Sequence, residues 1–126
     1  MANNMMVVVP RAAYDLDFMM EALVQGKGSW VYAETRPLAE AGYLEAQLMM
    51  GILYQLGIGV RQNALEALKW YRLAAEQNSA LAWKNLGTLY LVGLAGVTVD
   101  KAEAHYCFSR ARAIEIEQMM ENPTIH

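Results

Sequence analysis

Residues 46–77 read AQLMMGILYQLGIGVRQNALEALKWYRLAAEQ, and residues 82–113 read AWKNLGTLYLVGLAGVTVDKAEAHYCFSRARA. The second stretch answers the first. Ala46, Gly51, Leu53, Tyr54 and Gly57 recur 36 positions on as Ala82, Gly87, Leu89, Tyr90 and Gly93. After a one-residue insertion, Gly59, Val60, Glu66, Ala67 and Ala74 recur 37 positions on as Gly96, Val97, Glu103, Ala104 and Ala111. A self-match at this period marks a stacked array of helical hairpins, because one hairpin cannot bury its own apolar face and needs a neighbour to cover it. Arrays of this kind present surface to another molecule.

Outward from the repeated block, punctuation and period place six helices. An irregular pair spans about 12–25 and 29–41, separated by Gly26 and Gly28 and stopped near Gly42. Helices follow at about 44–56 and 80–92, each ending at a glycine, Gly57 and Gly93. Asn63 with Glu66, and Asp100 with Glu103, fit a capping box that opens the second helix of each unit. The first of these ends near Gln77; the last helix runs to about Glu121, stopped by Asn122 and Pro123. At 100° per residue, Ala46, Met50, Tyr54 and Gly57 share one face, as do Ala82, Leu86, Tyr90 and Gly93. Glycines 57, 59, 93 and 96 permit the positive φ that a compact helix reversal needs.

These residues resemble the Sel-one-like repeats, relatives of the tetratricopeptide repeats. The pattern of an alanine, LGxxYxxGxGV, a polar turn and KAxxWYxKAAEQG is met in the middle unit by Ala46, Gly51, Tyr54, Gly57, Gly59, Val60, Ala67, Trp70, Tyr71, Ala74, Ala75, Glu76 and Gln77. In the last unit Leu86, Gly87, Tyr90, Gly93, Gly96, Val97, Asp100, Lys101, Ala102 and Ala104 fit, but Cys107 and Phe108 replace Trp-Tyr. RPLAEAGYLEAQ, from Arg36, resembles the end of a degenerate first unit, in which Pro37 is expected to kink the helix. The resemblance implies an all-α, right-handed α/α superhelical solenoid of three helix-turn-helix repeats. It also implies a concave groove that binds a protein or peptide, and no catalytic machinery. The expected organisation is an N-terminal tail at 1–11, a degenerate capping repeat at 12–43, repeats at 44–79 and 80–113, and a helical extension and tail at 114–126.

Composition agrees with a folded domain. The 126 residues are 56% hydrophobic and 18% charged, enough for a real core and too apolar for a disordered chain. A net charge of −3 with scattered lysines and arginines argues against a nucleic-acid partner. Cys107 is the single cysteine, which suits a reducing compartment. The apolar run Met5–Val9 lacks a preceding basic residue and ends at Pro10, so it does not read as a signal peptide. No stretch reaches the roughly 18 apolar residues of a membrane span. The expectation is a cytoplasmic protein with no membrane association.

No chemistry-bearing constellation emerges. His105 and Cys107 are two apart, which on a helix turns their side chains away from each other, against both a metal site and a Cys–His nucleophile pair. Glu34, Glu40, Glu45, Glu66 and Glu76 read as solvated charges at helix ends or faces. The glycine turns lack the Lys-Ser/Thr of a phosphate loop. No cofactor, metal or catalytic residue is assigned.

One surface reads as purposeful. Leu48, Ile52 and Leu56 form an apolar stripe on the first helix of the middle unit, with Lys84, Thr88 and Val92 equivalent in the last unit and Trp83 close by. The expected protein-binding residues are Leu48, Ile52, Leu56, Trp83 and Thr88, unless neighbouring repeats cover the stripe. The partner role is that of an adaptor or chaperone-like module; the alternative is an immunity or antitoxin protein that neutralises another protein. The methionine pairs 5–6, 19–20, 49–50 and 119–120 serve core filling or partner contact, since adjacent helical residues point apart. Ile116 and Met120 point away from the last repeat's core, so a weak homodimer through the C-terminal helix is expected.

Overall fold

A computed structural model of the chain describes residues 14–121. The expected tail at 1–11, the Met5–Met6 pair and the stop at Asn122 and Pro123 lie outside the described residues. Six helices follow in order: α1 (Leu16–Val24), α2 (Gly28–Glu40), α3 (Leu44–Leu56), α4 (Ala64–Ala75), α5 (Ala80–Val92) and α6 (Lys101–Glu121). Each helix packs on the next, with α1 also touching α3, which is the connectivity of a helical solenoid. No strand occurs among the described residues; Leu94 and Val97 form an isolated antiparallel bridge inside the α5–α6 turn.

The helix starts follow from capping. Asn63 accepts a hydrogen bond from the backbone N–H of Glu66 at 3.1 Å, and Asp100 accepts one from Glu103 at 3.0 Å. The boxes are only half formed. The cap residues' own N–H groups donate to Tyr54 O at 2.9 Å and Tyr90 O at 2.8 Å, so they close the preceding turn rather than meet a glutamate. This repeated bond ties each second helix to the end of its first helix. Gly57 caps α3 in the left-handed region at φ 70°. Pro37 sits inside α2, and the helix runs on through it to Glu40.

The core explains the repeated small residues. A Cβ at Gly51 would overlap the Tyr71 ring, and one at Gly87 would lie 2.8 Å from the Phe108 ring. Tyr71 and Phe108 are therefore equivalent: each ring packs into the notch left by a glycine on the paired helix. Tyr71 is 1% exposed because the following repeat covers it, whereas Phe108, in the last unit, is 37% exposed. Arg112 is exposed where its counterpart Ala75 is buried.

Met49 and Met50 are both fully buried, so adjacency does not force one of that pair outward. The reason is that α3 is flanked by α2 on one side and α4 on the other. Met19 is buried and Met20 exposed, as alternation on a one-sided helix requires. Gln77 joins the units: its Nε2 donates to Gly42 O and to Gln47 Oε1, each at 2.8 Å.

Candidate functional site

The apolar stripe is not the surface the fold exposes. Leu48 is 3% exposed and belongs to the core, so it is withdrawn as a binding residue: the helices around α3 cover it. Ile52 is half-buried against the same core, while Leu56 is 59% exposed at the helix end. Thr88 is exposed, and the neighbouring Lys84 is paired with Glu115 of α6 at 2.5 Å. Trp83 alone of the five lines a cleft.

Two clefts are images of each other. The first, of about 530 Å³, lies among α2, α3 and α4 and is lined by Arg36, Ala39, Glu40, Gln47, Tyr54, Glu66, Lys69, Trp70 and Leu73. The second, of about 220 Å³, lies among α4, α5 and α6 and is lined by Arg72, Ala75, Glu76, Trp83, Leu86, Tyr90, Glu103, Tyr106 and Cys107. The repeat operation carries one onto the other. Arg36, Ala39, Glu40, Gln47 and Tyr54 become Arg72, Ala75, Glu76, Trp83 and Tyr90, and Glu66, Lys69 and Trp70 become Glu103, Tyr106 and Cys107. Each cleft thus crosses one first helix, between the second helix of its own unit and that of the unit before. The lining uses the Tyr54 and Tyr90 side of α3 and α5, not the stripe.

The polar groups of the first cleft are internally matched. Arg36 Nε donates to Glu40 Oε2 at 2.9 Å and Arg36 Nη1 to the Tyr32 hydroxyl at 2.6 Å; these bonds raise the guanidinium pKa further above its ordinary value. The Tyr32 and Tyr54 hydroxyls lie 3.0 Å apart with their rings edge to face. Burial first, and the Tyr32 hydrogen bond second, push the Tyr54 phenol up to about 12. Lys69 Nζ pairs with Glu66 at 3.4 Å and sits 5.5 Å from the centre of the Trp70 ring.

The second cleft keeps the frame and changes the balance. Arg72 Nη2 donates to the Tyr90 hydroxyl at 2.5 Å. Trp83 and Tyr106 meet edge to face at 5.8 Å, and the Arg110 guanidinium lies 5.5 Å from the Trp83 ring. Burial pushes the Cys107 thiol up to about 11, with Glu103 adding to the rise and Arg72 opposing it. It is a packed thiol with little nucleophile character at neutral pH. The indole N–H groups of Trp70 and Trp83 are buried without an acceptor among the described residues.

Sequence reasoning read Glu40, Glu66 and Glu76 as bland surface charges, yet all three line the clefts. The signal was present: Arg36 and Glu40 recur as Arg72 and Glu76 at the repeat spacing. No group of three or more potential metal ligands converges among the described residues. No helix among them is long and apolar enough to cross a membrane.

Comparison with known proteins agrees with this architecture. The Sel1 repeat family model matches residues 44–79 and 84–113. A Sel1-like repeat-containing protein of Acanthamoeba polyphaga mimivirus is 33% identical over 81 residues, which is 64% of this chain and 15% of that protein. The crystal structure of a Sel1 repeat protein from Oxalobacter formigenes superposes with a TM-score of 0.66 at 32% identity, covering 83% of this chain and 44% of that one. A protective antigen of uropathogenic Escherichia coli strains, displaying an SLR fold, superposes with a TM-score of 0.60 at 29% identity, covering 79% of this chain and 26% of that one. The chain spans less than half the length of each of these relatives. With its paired glycine notches, repeated turn bonds and all-helical stacking, the chain belongs to the Sel1 repeat family.

Proposed function

We propose that the chain is a non-enzymatic protein-binding module, of adaptor or chaperone-like type, that holds a segment of another protein across the two clefts. The observation that supports this most is the repetition of eight lining positions from one cleft to the other. A segment lying along the array would meet similar walls, one repeat apart, and gain from engaging both. The walls combine large aromatic faces with placed charges, a composition suited to peptide anchoring. The one thiol of the clefts, Cys107, is held protonated by burial and by the neighbouring Glu103.

The test is a selection of random displayed peptides against the full chain, followed by affinity measurements on variants with unchanged helical circular dichroism. Leu73→Asp in the first cleft and Tyr106→Ala in the second should each weaken the selected peptides about tenfold, the loss of one apolar or aromatic anchor. Leu56→Asp, outside both clefts, should leave them unchanged. Loss of binding with Leu56→Asp or Thr88→Asp, and not with the cleft variants, would refute the assignment and return it to the stripe.

A further inference from the structure

A further groove, of about 490 Å³, opens at the N-terminal end of the array. Phe18, Glu21, Ala22 and Gln25 line it along α1, and Lys27 and Trp30 line it at the start of α2. It stands where the repeat places a cleft: Trp30 lies 36 positions before Glu66, which lines the first cleft and recurs as Glu103 in the second. One wall differs. Each cleft is closed on its N-terminal side by the second helix of the unit before, through Arg36, Ala39 and Glu40 or through Arg72, Ala75 and Glu76. No helix precedes α1 among the described residues, and that side of the groove is open. Phe18 and Trp30 are 60% and 44% exposed there, and Val24 of α1 is exposed as well. The outer face of a terminal unit is ordinarily polar, because no neighbour covers it. Two aromatic side chains left open in a groove call for a cover.

We infer that the chain's own apolar run, Met5–Val9, docks in this groove and supplies its missing wall. Order along the array points to this occupant. Each cleft takes that wall from the residues just N-terminal to its first helix, and residues 1–13 are the ones just N-terminal to Tyr14 and α1. The chemistry agrees, since five consecutive apolar side chains, Met5, Met6, Val7, Val8 and Val9, match Phe18, Ala22 and Trp30. Charge agrees too. Arg11 is the only charged side chain of residues 1–13, whereas α1 and its cap carry Asp15, Asp17 and Glu21 and no cation. Asp17 and Glu21 have no ion-pair partner within 4.0 Å among the described residues. The reach is sufficient. Tyr14 is fixed, buried with its hydroxyl 2.8 Å from that of Thr35. The far end of the groove, at Gln25, lies about 16 Å from Tyr14 along the axis of α1. The chain from Val9 to Tyr14 spans at most about 17 Å.

The experiment uses the full chain, isotope-labelled, and reads the indole N–H signals of Trp30, Trp70 and Trp83. Val7→Asp with Val8→Asp, which sets two carboxylates in the run, should move the Trp30 signal by more than its line width. Trp70 and Trp83, in the clefts, should stay in place. Phe18→Asp should also move Trp30, and the two valine changes added to it should move the signal no further, because run and groove then no longer meet. Phe18→Ala gives the same comparison without an added charge, and the backbone amide signals of α3 to α6 report that the fold is kept. A Trp30 signal that ignores the valine changes overturns the inference. So does one that responds to them equally with and without the Phe18 change, since the run then acts elsewhere. A wild-type Trp30 signal that shifts on dilution assigns the groove to a second copy of the chain, which overturns it as well.

Discussion

Replacing Gly51 and Gly87 by alanine, one at a time, sets helix propensity against packing at two positions that the repeat makes equivalent. In an exposed helix, alanine for glycine stabilises by roughly 1 kcal/mol. At Gly51 the new methyl would overlap Tyr71, whose ring is buried and whose hydroxyl donates to Gln55 Oε1 at 2.7 Å. The ring is held from both ends, so the overpacking cost of about 1–3 kcal/mol applies in full. Gly51→Ala should therefore be neutral to destabilising by about 2 kcal/mol. At Gly87 the methyl meets Phe108, which has no hydroxyl anchor and is partly open to solvent, so the ring can swing aside. Gly87→Ala should be neutral to stabilising by up to about 1 kcal/mol. Urea unfolding read by circular dichroism gives both midpoints. The pair should differ by about 1–3 kcal/mol, or several degrees in thermal midpoint. A Tyr71→Leu background should relieve Gly51→Ala, a non-additivity of about 0.5–3 kcal/mol. Equal effects at the two glycines, or a stabilised Gly51→Ala, would refute the notch argument.

Alkaline pH should weaken the fold. The Cys107 thiol, ordinarily near 9.0, is pushed up to about 11, chiefly by burial; Tyr14 and Tyr54, ordinarily near 10.0, are pushed up to about 12, also chiefly by burial. Above pH 9 the unfolded chain loses these protons first, so it binds fewer than the folded chain and stability falls with rising pH until the folded groups titrate as well. Midpoints in urea should drop progressively above pH 9, Cys107→Ala should flatten the earliest part of the decline, and a flat profile to pH 11 would count against burial of these groups. The C-terminal helix should govern self-association, since Ile116, Met119 and Met120 are exposed on the part of α6 that extends beyond the repeat. Light scattering over a dilution series should show a weak dimer that Ile116→Glu with Met120→Glu abolishes; a chain monomeric at all concentrations would rule it out.

The sequence by itself determined the helices and their pairing. Period, glycine punctuation and the Asn63 and Asp100 caps are local signals, written into the few residues that each backbone turn must satisfy. The equivalence of Tyr54 with Tyr90 and of Gly51 with Gly87 was legible for the same reason: a repeat prints its packing twice. What only the tertiary structure decided was which face is covered. A helix wheel shows Leu48 and Tyr54 on different sides of α3 but cannot say that neighbouring helices close over Leu48, because that depends on the angle at which units stack. The same stacking turns residues distant in sequence, such as Arg36, Tyr54 and Glu66, into one cleft. Coverage and convergence are properties of neighbours, and neighbours are set by the superhelix.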